Sequence, residues 1–254
     1  MGYLKYVAVG DSQTEGLNDG DERTGYRGWA DRLAEMLAAE EPGFRYANLA
    51  VRGKLARQIL DEQVGPALAL EPDLVTVTAG MNDLMRPGFD AAAVAGDLDA
   101  ILAAFTGAGA CVVTFTYPDI ARIVPLARRA RPRVLDFNAR IRESVRRHGA
   151  VLVDTFHHQV TTDLRMFSPD RYHLAPLGHA RLAAAVAEAL GLPGSDQTWT
   201  EPLPPVPLPS PWRRAGAELV WAASFAGPWA ARRLRGRSSG DGRTAKRPEL
   251  RPMM

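Results

Sequence analysis

The sequence predicts a three-layer α/β fold: a doubly wound, parallel five-stranded sheet with helices on both faces. Two patterns predict it. Five short runs rich in β-branched and aromatic residues alternate with longer segments whose apolar residues recur every three or four positions. Such alternation calls for parallel strands joined by crossover helices, and right-handed crossovers leave few topologies.

The strands are expected at 3–9, 44–49, 74–78, 111–116 and 151–154. Between them, Trp29, Leu33, Met36 and Leu37 mark the first helical face, and Leu55, Ile59 and Leu60 the second. Val94, Leu98, Ile101 and Leu102 mark a third, and Val134, Phe137, Ile141 and Val145 a fourth. The last face, Leu182, Val186 and Leu190, stops at Gly191 with Pro193 beyond, a combination that ends helices.

Composition narrows the class. The 254 residues are 46% hydrophobic and 24% charged, which excludes a wholly disordered chain. No uncharged apolar run reaches the roughly 18 residues of a membrane span. The N-terminal run meets a turn at Gly10 without a small-residue cleavage site, so no secretory signal is expected. A single cysteine, Cys111, excludes an internal disulfide and argues against a cysteine-based zinc site. A cytoplasmic location is the expectation.

Charge divides the chain. Residues 211–254 carry ten Lys/Arg against three acidic residues, although the whole chain is only +2, so the remainder is acidic and suits nucleic acid poorly. Residues 1–192 are expected to form the main domain and 193–211 a proline-rich linker or strap. An accessory amphipathic helix is read at 212–235, where Trp221, Phe225 and Trp229 recur every four residues. Its aromatic face is expected to dock on the domain or a second subunit, leaving Arg232, Arg233, Arg235 and Arg237 solvated. The alternative is an interfacial helix drawn to anionic lipid, which Gly227-Pro228 weakens by interrupting it. Residues 236–254 read as a basic, disordered tail.

In a doubly wound sheet, ligands bind beyond the carboxyl ends of the strands. Those ends carry Gly10-Asp11-Ser12, Asn48 with Gly53, and Gly80-Met81-Asn82-Asp83, and a later loop carries Asp170-Arg171-Tyr172-His173. A serine hydroxyl needs a base, and histidine titrates in the right range. An aspartate three residues earlier can hold the ring and fix its tautomer. A carbonyl becoming tetrahedral needs donors, which backbone N–H groups and an Asn amide supply. Gly53 permits a close approach that a Cβ would obstruct.

The blocks GDSQTEG, NLAVRG, GMND and DRYH, in this order across roughly residues 4–190, resemble the SGNH/GDSL hydrolase (serine esterase/lipase) family. The resemblance implies a flavodoxin-like catalytic domain over 1–192, with Ser12 as nucleophile, His173 as general base and Asp170 as its partner. It also implies an oxyanion hole of the Ser12 and Gly53 N–H groups and the Asn82 side chain. Gln13 stands where the family's older name has leucine, and little is expected to hang on it.

Simpler roles compete with these. Ser12 alone suits a helix N-cap, Asn82 and Asp83 a turn, and Gly53 a plain loop. Asp11 is expected to satisfy loop N–H groups, and Asp83 to bond the first-strand loop. Of the other histidines, His148 suits a helix C-cap, and His179 packing or capping at the last helix. His157 and His158 lack an aspartate three positions earlier.

The expected reaction is cleavage of small acyl esters through an acyl-enzyme, with no metal or organic cofactor. Carbohydrate O-deacetylation and thioester hydrolysis are alternatives, and an inactive scaffold with a membrane- or partner-binding tail is the reading from another class. The arginine-bearing segment 117–131 is expected to shape substrate choice. A dinucleotide or P-loop reading fails, because no G-x-G-x-x-G follows the first strand and Leu55 follows Gly53-Lys54.

Overall fold

Along the chain the elements are β1 (Lys5–Val9), α1 (Ser12–Glu15), the short hairpin β2 (Gly20–Asp21) and β3 (Gly25–Tyr26), α2 (Trp29–Glu40) and β4 (Arg45–Asn48). There follow α3 (Ala56–Glu62), α4 (Val64–Leu68), β5 (Leu74–Val77), α5 (Met81–Leu84), α6 (Ala91–Gly107), β6 (Cys111–Phe115) and α7 (Ile120–Ile123). The last are α8 (Arg131–His148), β7 (Val151–Val153), α9 (Pro176–Ala189), α10 (Pro211–Trp221) and β8 (Arg247–Pro252). This computed structural model describes residues 2–123, 125–207, 210–228, 231 and 238–253.

The main sheet has the order β7-β6-β5-β1-β4-β8. Its first five strands are parallel, and each falls where the sequence predicts one. Numbered among themselves they run 2-1-3-4-5, the flavodoxin-like doubly wound order, with the switch point between β1 and β5. The strand period of two sorts the core. From β1, Val7 and Val9 face the layer of α3, α4, α6 and α8, where Leu98, Ile101, Phe137 and Ile141 are buried. Tyr6 and Ala8 face the opposite layer of α2 and α9, where Trp29, Leu33 and Val186 are buried. Sealed on both sides, β1 reads as an unbroken apolar run.

The sixth strand corrects the five-strand expectation and the disordered reading of 236–254. β8 pairs antiparallel with edge strand β4, Arg45 opposite Pro252 and Asn48 opposite Arg247. Pro248 and Pro252 suit an edge, where one side of the strand needs no donors. Polar anchors hold it. Lys246 Nζ donates to Glu15 O (2.6 Å), Tyr26 O (2.9 Å) and Asp31 Oδ2 (2.6 Å). Arg247 Nε donates to Tyr46 O at 2.9 Å, with its guanidinium 5.5 Å from the Tyr46 ring centroid.

The strap 193–211 is partly built into the core, since Trp199 buries its ring against the α2–α9 layer. Ser210 caps α10, accepting from Arg213 N. After Trp221 the helix widens into a π turn over Ala222–Ala226. Pro228 follows at once and lacks the N–H that an α-helical ladder would direct to Ser224 O. Trp229, Arg232, Arg233 and Arg235 of the predicted helix, and Arg237 beyond it, lie outside the described residues.

Candidate active site

The four motif blocks meet at the carboxyl edge beside the β1–β5 switch point. Asp11 N-caps α1, its Oδ1 accepting from Gln13 N at 3.0 Å, and Gly16 ends the turn at φ 92°. Ser12 is thereby fixed as the first residue of α1, buried beneath the histidine loop. That loop brings His173 Nε2 to 3.0 Å from Ser12 Oγ and His173 Nδ1 to 2.7 Å from Asp170 Oδ2. The carboxylate only accepts, so Nδ1 carries the proton and Nε2 is left to accept from the serine.

Asp170 is in turn held by its own loop. Its Oδ1 accepts from Tyr172 N (2.9 Å) and His173 N (3.0 Å), and Asn18 Nδ2 donates to Oδ2 at 3.2 Å. Burial pushes the carboxyl pKa up, but the bonds and charge of His173 and these N–H groups outweigh it. The net position is below the ordinary aspartate value.

Asn82 is the second residue of α5, after the third parallel strand. Tyr172 donates its hydroxyl to Asn82 Oδ1 at 3.2 Å, which turns the NH₂ group toward Lys54 O (3.0 Å) and Asp11 Oδ2 (3.2 Å). Gly53 lies in the loop after β4 at φ 78°, tied to the Ser12 turn by Val51 N to Gly10 O at 3.2 Å and by Arg52 N to Glu15 Oε2 at 2.8 Å. The Arg52 guanidinium is also paired with Glu15. A Cβ on Gly53 would collide with Ser238 Oγ, so the close approach expected there is made by a residue of the C-terminal segment.

Asp11 is as expected a loop anchor. Burial raises its pKa to about 7, against the lowering influence of Gln13 N–H and His173. Asp83 differs from expectation: its Oδ2 accepts from Ala56 N at 3.0 Å, bonding the start of α3 rather than the first-strand loop. Gln13 also has a role that the motif comparison did not give it. Its Nε2 donates to Tyr172 O at 2.8 Å and its Oε1 accepts from Leu174 N at 3.4 Å, so one side chain brackets His173.

The remaining histidines stay apart from Ser12. His148, at the end of α8, lies 3.0 Å from Asp99 of α6. His157 lies beside Arg142, and His158 meets the Trp199 ring edge-on at 4.6 Å. His179 is fully buried, accepting at Nδ1 from Trp29 N and donating from Nε2 to Leu17 O, each at 3.2 Å.

Four further residues shape the site, Arg171 from within the DRYH block and three from outside every block. The indole N–H of Trp221 in α10 donates to Asp170 O at 3.0 Å. The Arg171 guanidinium stacks 4.8 Å from the Trp221 ring centroid and pairs with Glu218 at 2.7 Å. Arg171 holds φ 58°, an uncommon conformation for a non-glycine residue, so these contacts steady a backbone that prefers otherwise. Ser238 is the fourth. The spacing of Trp221 announced a docking residue, but no sequence signal said where it docks.

Beside the serine runs a cleft of about 790 Å³ including its open mouth. Gln13, Tyr172 and Leu174 border it near the catalytic-type relay, and Phe115, Val160, Met166, Phe167, Leu182 and Trp199 make it apolar. Tyr117 and Pro118 also line it, so the 117–131 segment contributes its start to the wall. Arg131 of that segment is engaged with Asp119 at 2.8 Å.

A serine–histidine–aspartate relay on the carboxyl edge of a doubly wound sheet is an arrangement suited to acyl-transfer hydrolysis. The sequence profile of the GDSL-like lipase/acylhydrolase family matches residues 8–181, and the chain belongs to that family. Among solved structures it resembles LAE5, an alpha/beta hydrolase enzyme from the metagenome of Lake Arreo, Spain, at 23% identity. That alignment has a TM-score of 0.62 and covers 74% of this chain and 95% of LAE5. It resembles a variant of Axe2, an acetyl xylan esterase from Geobacillus stearothermophilus, at 18% identity and TM-score 0.63, over 77% of this chain and 96% of that one. TesA aligns at 23% identity and TM-score 0.61, over 74% and 98%. At these identities the likeness is one of fold. No curated protein matches the chain in sequence. Among the described residues no helix is long and apolar enough to cross a membrane.

Proposed function

We propose that the protein hydrolyses carboxylic esters through an acyl-enzyme formed on Ser12. The observation carrying this reading is the unbroken chain from Asp170 through His173 to Ser12 Oγ, with links of 2.7 Å and 3.0 Å. Ser12 Oγ attacks the ester carbonyl while His173 Nε2 takes its proton. The imidazolium stands beside Asp170, whose depressed pKa keeps it ionised to stabilise that charge. The oxyanion is stabilised by the Ser12 and Gly53 N–H groups and by Asn82, whose 3.2 Å bond to Asp11 is the longer of its two and the easier to redirect. His173 then protonates the leaving alcohol and activates the water that releases the acid. The chemistry asks for no metal or organic cofactor.

The test is Ser12→Ala. The folded variant is expected to lose about 10³-fold or more in hydrolysis of a soluble aryl ester and all labelling by a fluorophosphonate. Undiminished turnover would overturn the assignment. Asn82→Ala is expected to keep a remainder, about 10²–10³-fold down.

The cleft favours an acyl group with an alkyl chain over a sugar acetate, because its walls give hydrocarbon an apolar partner and offer a sugar few. kcat/KM is expected to rise from acetyl to butyryl or longer aryl esters. A maximum at acetyl would favour O-deacetylation instead.

A further inference from the structure

Helix α10 has two apolar sides, and the domain uses one. Trp221 and Glu218 face the catalytic loop and are engaged by Asp170 and Arg171. At 100° per residue, Trp212, Leu219 and Val220 project from the other side. They are 86%, 73% and 65% exposed, although side chains of this size gain most from burial. An apolar stripe opposite an already docked face marks a surface for something outside the domain.

Charge identifies the occupant. Residues 211–237 carry Arg213, Arg214, Arg232, Arg233, Arg235 and Arg237 against one acidic residue, Glu218, and Glu218 is taken up by Arg171. A second copy pairing this segment with itself would bring together two stretches of chain that are both strongly cationic in sequence. An anionic lipid surface complements both features: it takes Trp and Leu at the headgroup level and attracts the cations that the same stretch of sequence carries. We infer that the outward face of α10 seats the protein on anionic membrane surfaces. Because its inward face grips Asp170 and Arg171, seating brings the Ser12–His173 edge toward the lipid. The inference stands on this surface and does not depend on the proposed chemistry.

The test is co-sedimentation of the full chain with vesicles of phosphatidylcholine plus phosphatidylglycerol, and of phosphatidylcholine alone. Wild type is expected to bind the anionic vesicles about 10-fold or more better, with binding falling as salt rises. The double variant Trp212→Glu, Leu219→Glu is expected to lose about 10-fold of that binding. Its far-ultraviolet circular dichroism and its turnover of a soluble aryl ester should stay at wild-type values. Equal vesicle binding by variant and wild type would overturn the inference. So would equal affinity for neutral vesicles, or a concentration-dependent dimer that the variant abolishes while vesicles stay unbound.

Discussion

Strands β1 and β8 belong to one sheet but are held in it by different forces. β1 is hydrogen-bonded on both edges, and Tyr6, Val7, Ala8 and Val9 are wholly buried between two helix layers. β8 pairs on one edge only, alternates little, and owes its position to Lys246 and Arg247. The first kind of element depends on apolar area removed from water, which scales with the number of residues and survives small changes in position. The second depends on a few polar contacts whose partners lie about 200 residues away in sequence. The family profile ends at residue 181, so the anchored segment lies outside the match.

The core side of this contrast should yield the largest loss. Trp29 is fully buried in the α2–α9 layer, its ring edge-on to Phe115 at 5.0 Å. Trp29→Ala is expected to cost about 3–5 kcal/mol in urea unfolding. A loss below about 1 kcal/mol would mean the layer collapses onto the cavity and burial counts for less than argued here.

His179 bridges the core and the site loops, and its effect follows pH. Burial, first among the causes, lowers its pKa from 6.5 to about 4, outweighing its bond to Leu17 O. The unfolded chain therefore takes up this proton first as pH falls, and stability is lost between 6.5 and 4, by about 1.4 kcal/mol per unit. Asp11, raised to about 7, works in the opposite sense, stabilising most below its unfolded pKa and less as pH rises. Comparing His179→Gln with wild type cancels Asp11. The variant's deficit should shrink by about 2 kcal/mol between pH 7 and pH 5 in chemical denaturation. A constant deficit would show that His179 does not stay neutral when folded.

The anchored strand should respond less, and locally. Lys246→Met leaves Asp31 buried without its cation, and burial already pushes that carboxyl above the ordinary value. The expected cost is about 1–3 kcal/mol. Amide exchange should accelerate across β8 while β1 stays protected. Uniform acceleration in both would make β8 part of the same cooperative unit as the core.

These two kinds of cohesion also explain what the sequence disclosed. All five parallel strands were legible because short apolar runs, set between segments of helical period, report burial on both faces. That Ser12, Asp170 and His173 would meet was legible because a hydroxyl, an imidazole and a carboxylate in these blocks suit one relay, and their side chains lie in hydrogen-bond contact. β8, by contrast, reads RPELRP, whose two prolines and three charged positions look like a tail. The docking of Trp221 on Asp170, and of Ser238 on Gly53, depends on where a distant segment returns. No local pattern encodes that return.

Gln13 brings the same limit inside the readable region. It follows Ser12 in a motif, yet what it contributes to the structure is two polar ties to the histidine loop, at Tyr172 O and Leu174 N. Leucine there restores the family's familiar letter and removes both ties. The His173 ring is still held by Asp170, so Gln13→Leu should not abolish the relay. It should loosen the position of Nε2 relative to Ser12 Oγ, an error that lowers kcat more than it raises KM. The expected loss is about 3–10-fold in kcat, the worth of one or two modest hydrogen bonds. Gln13→Glu separates positioning from packing, since it keeps the acceptor for Leu174 N and loses the donor to Tyr172 O. An intermediate kcat for Glu would assign the effect to the bracket. Equal losses for Leu and Glu would assign all of it to the Tyr172 tie, and an unchanged kcat in both would leave Asp170 as the sole restraint that catalysis requires.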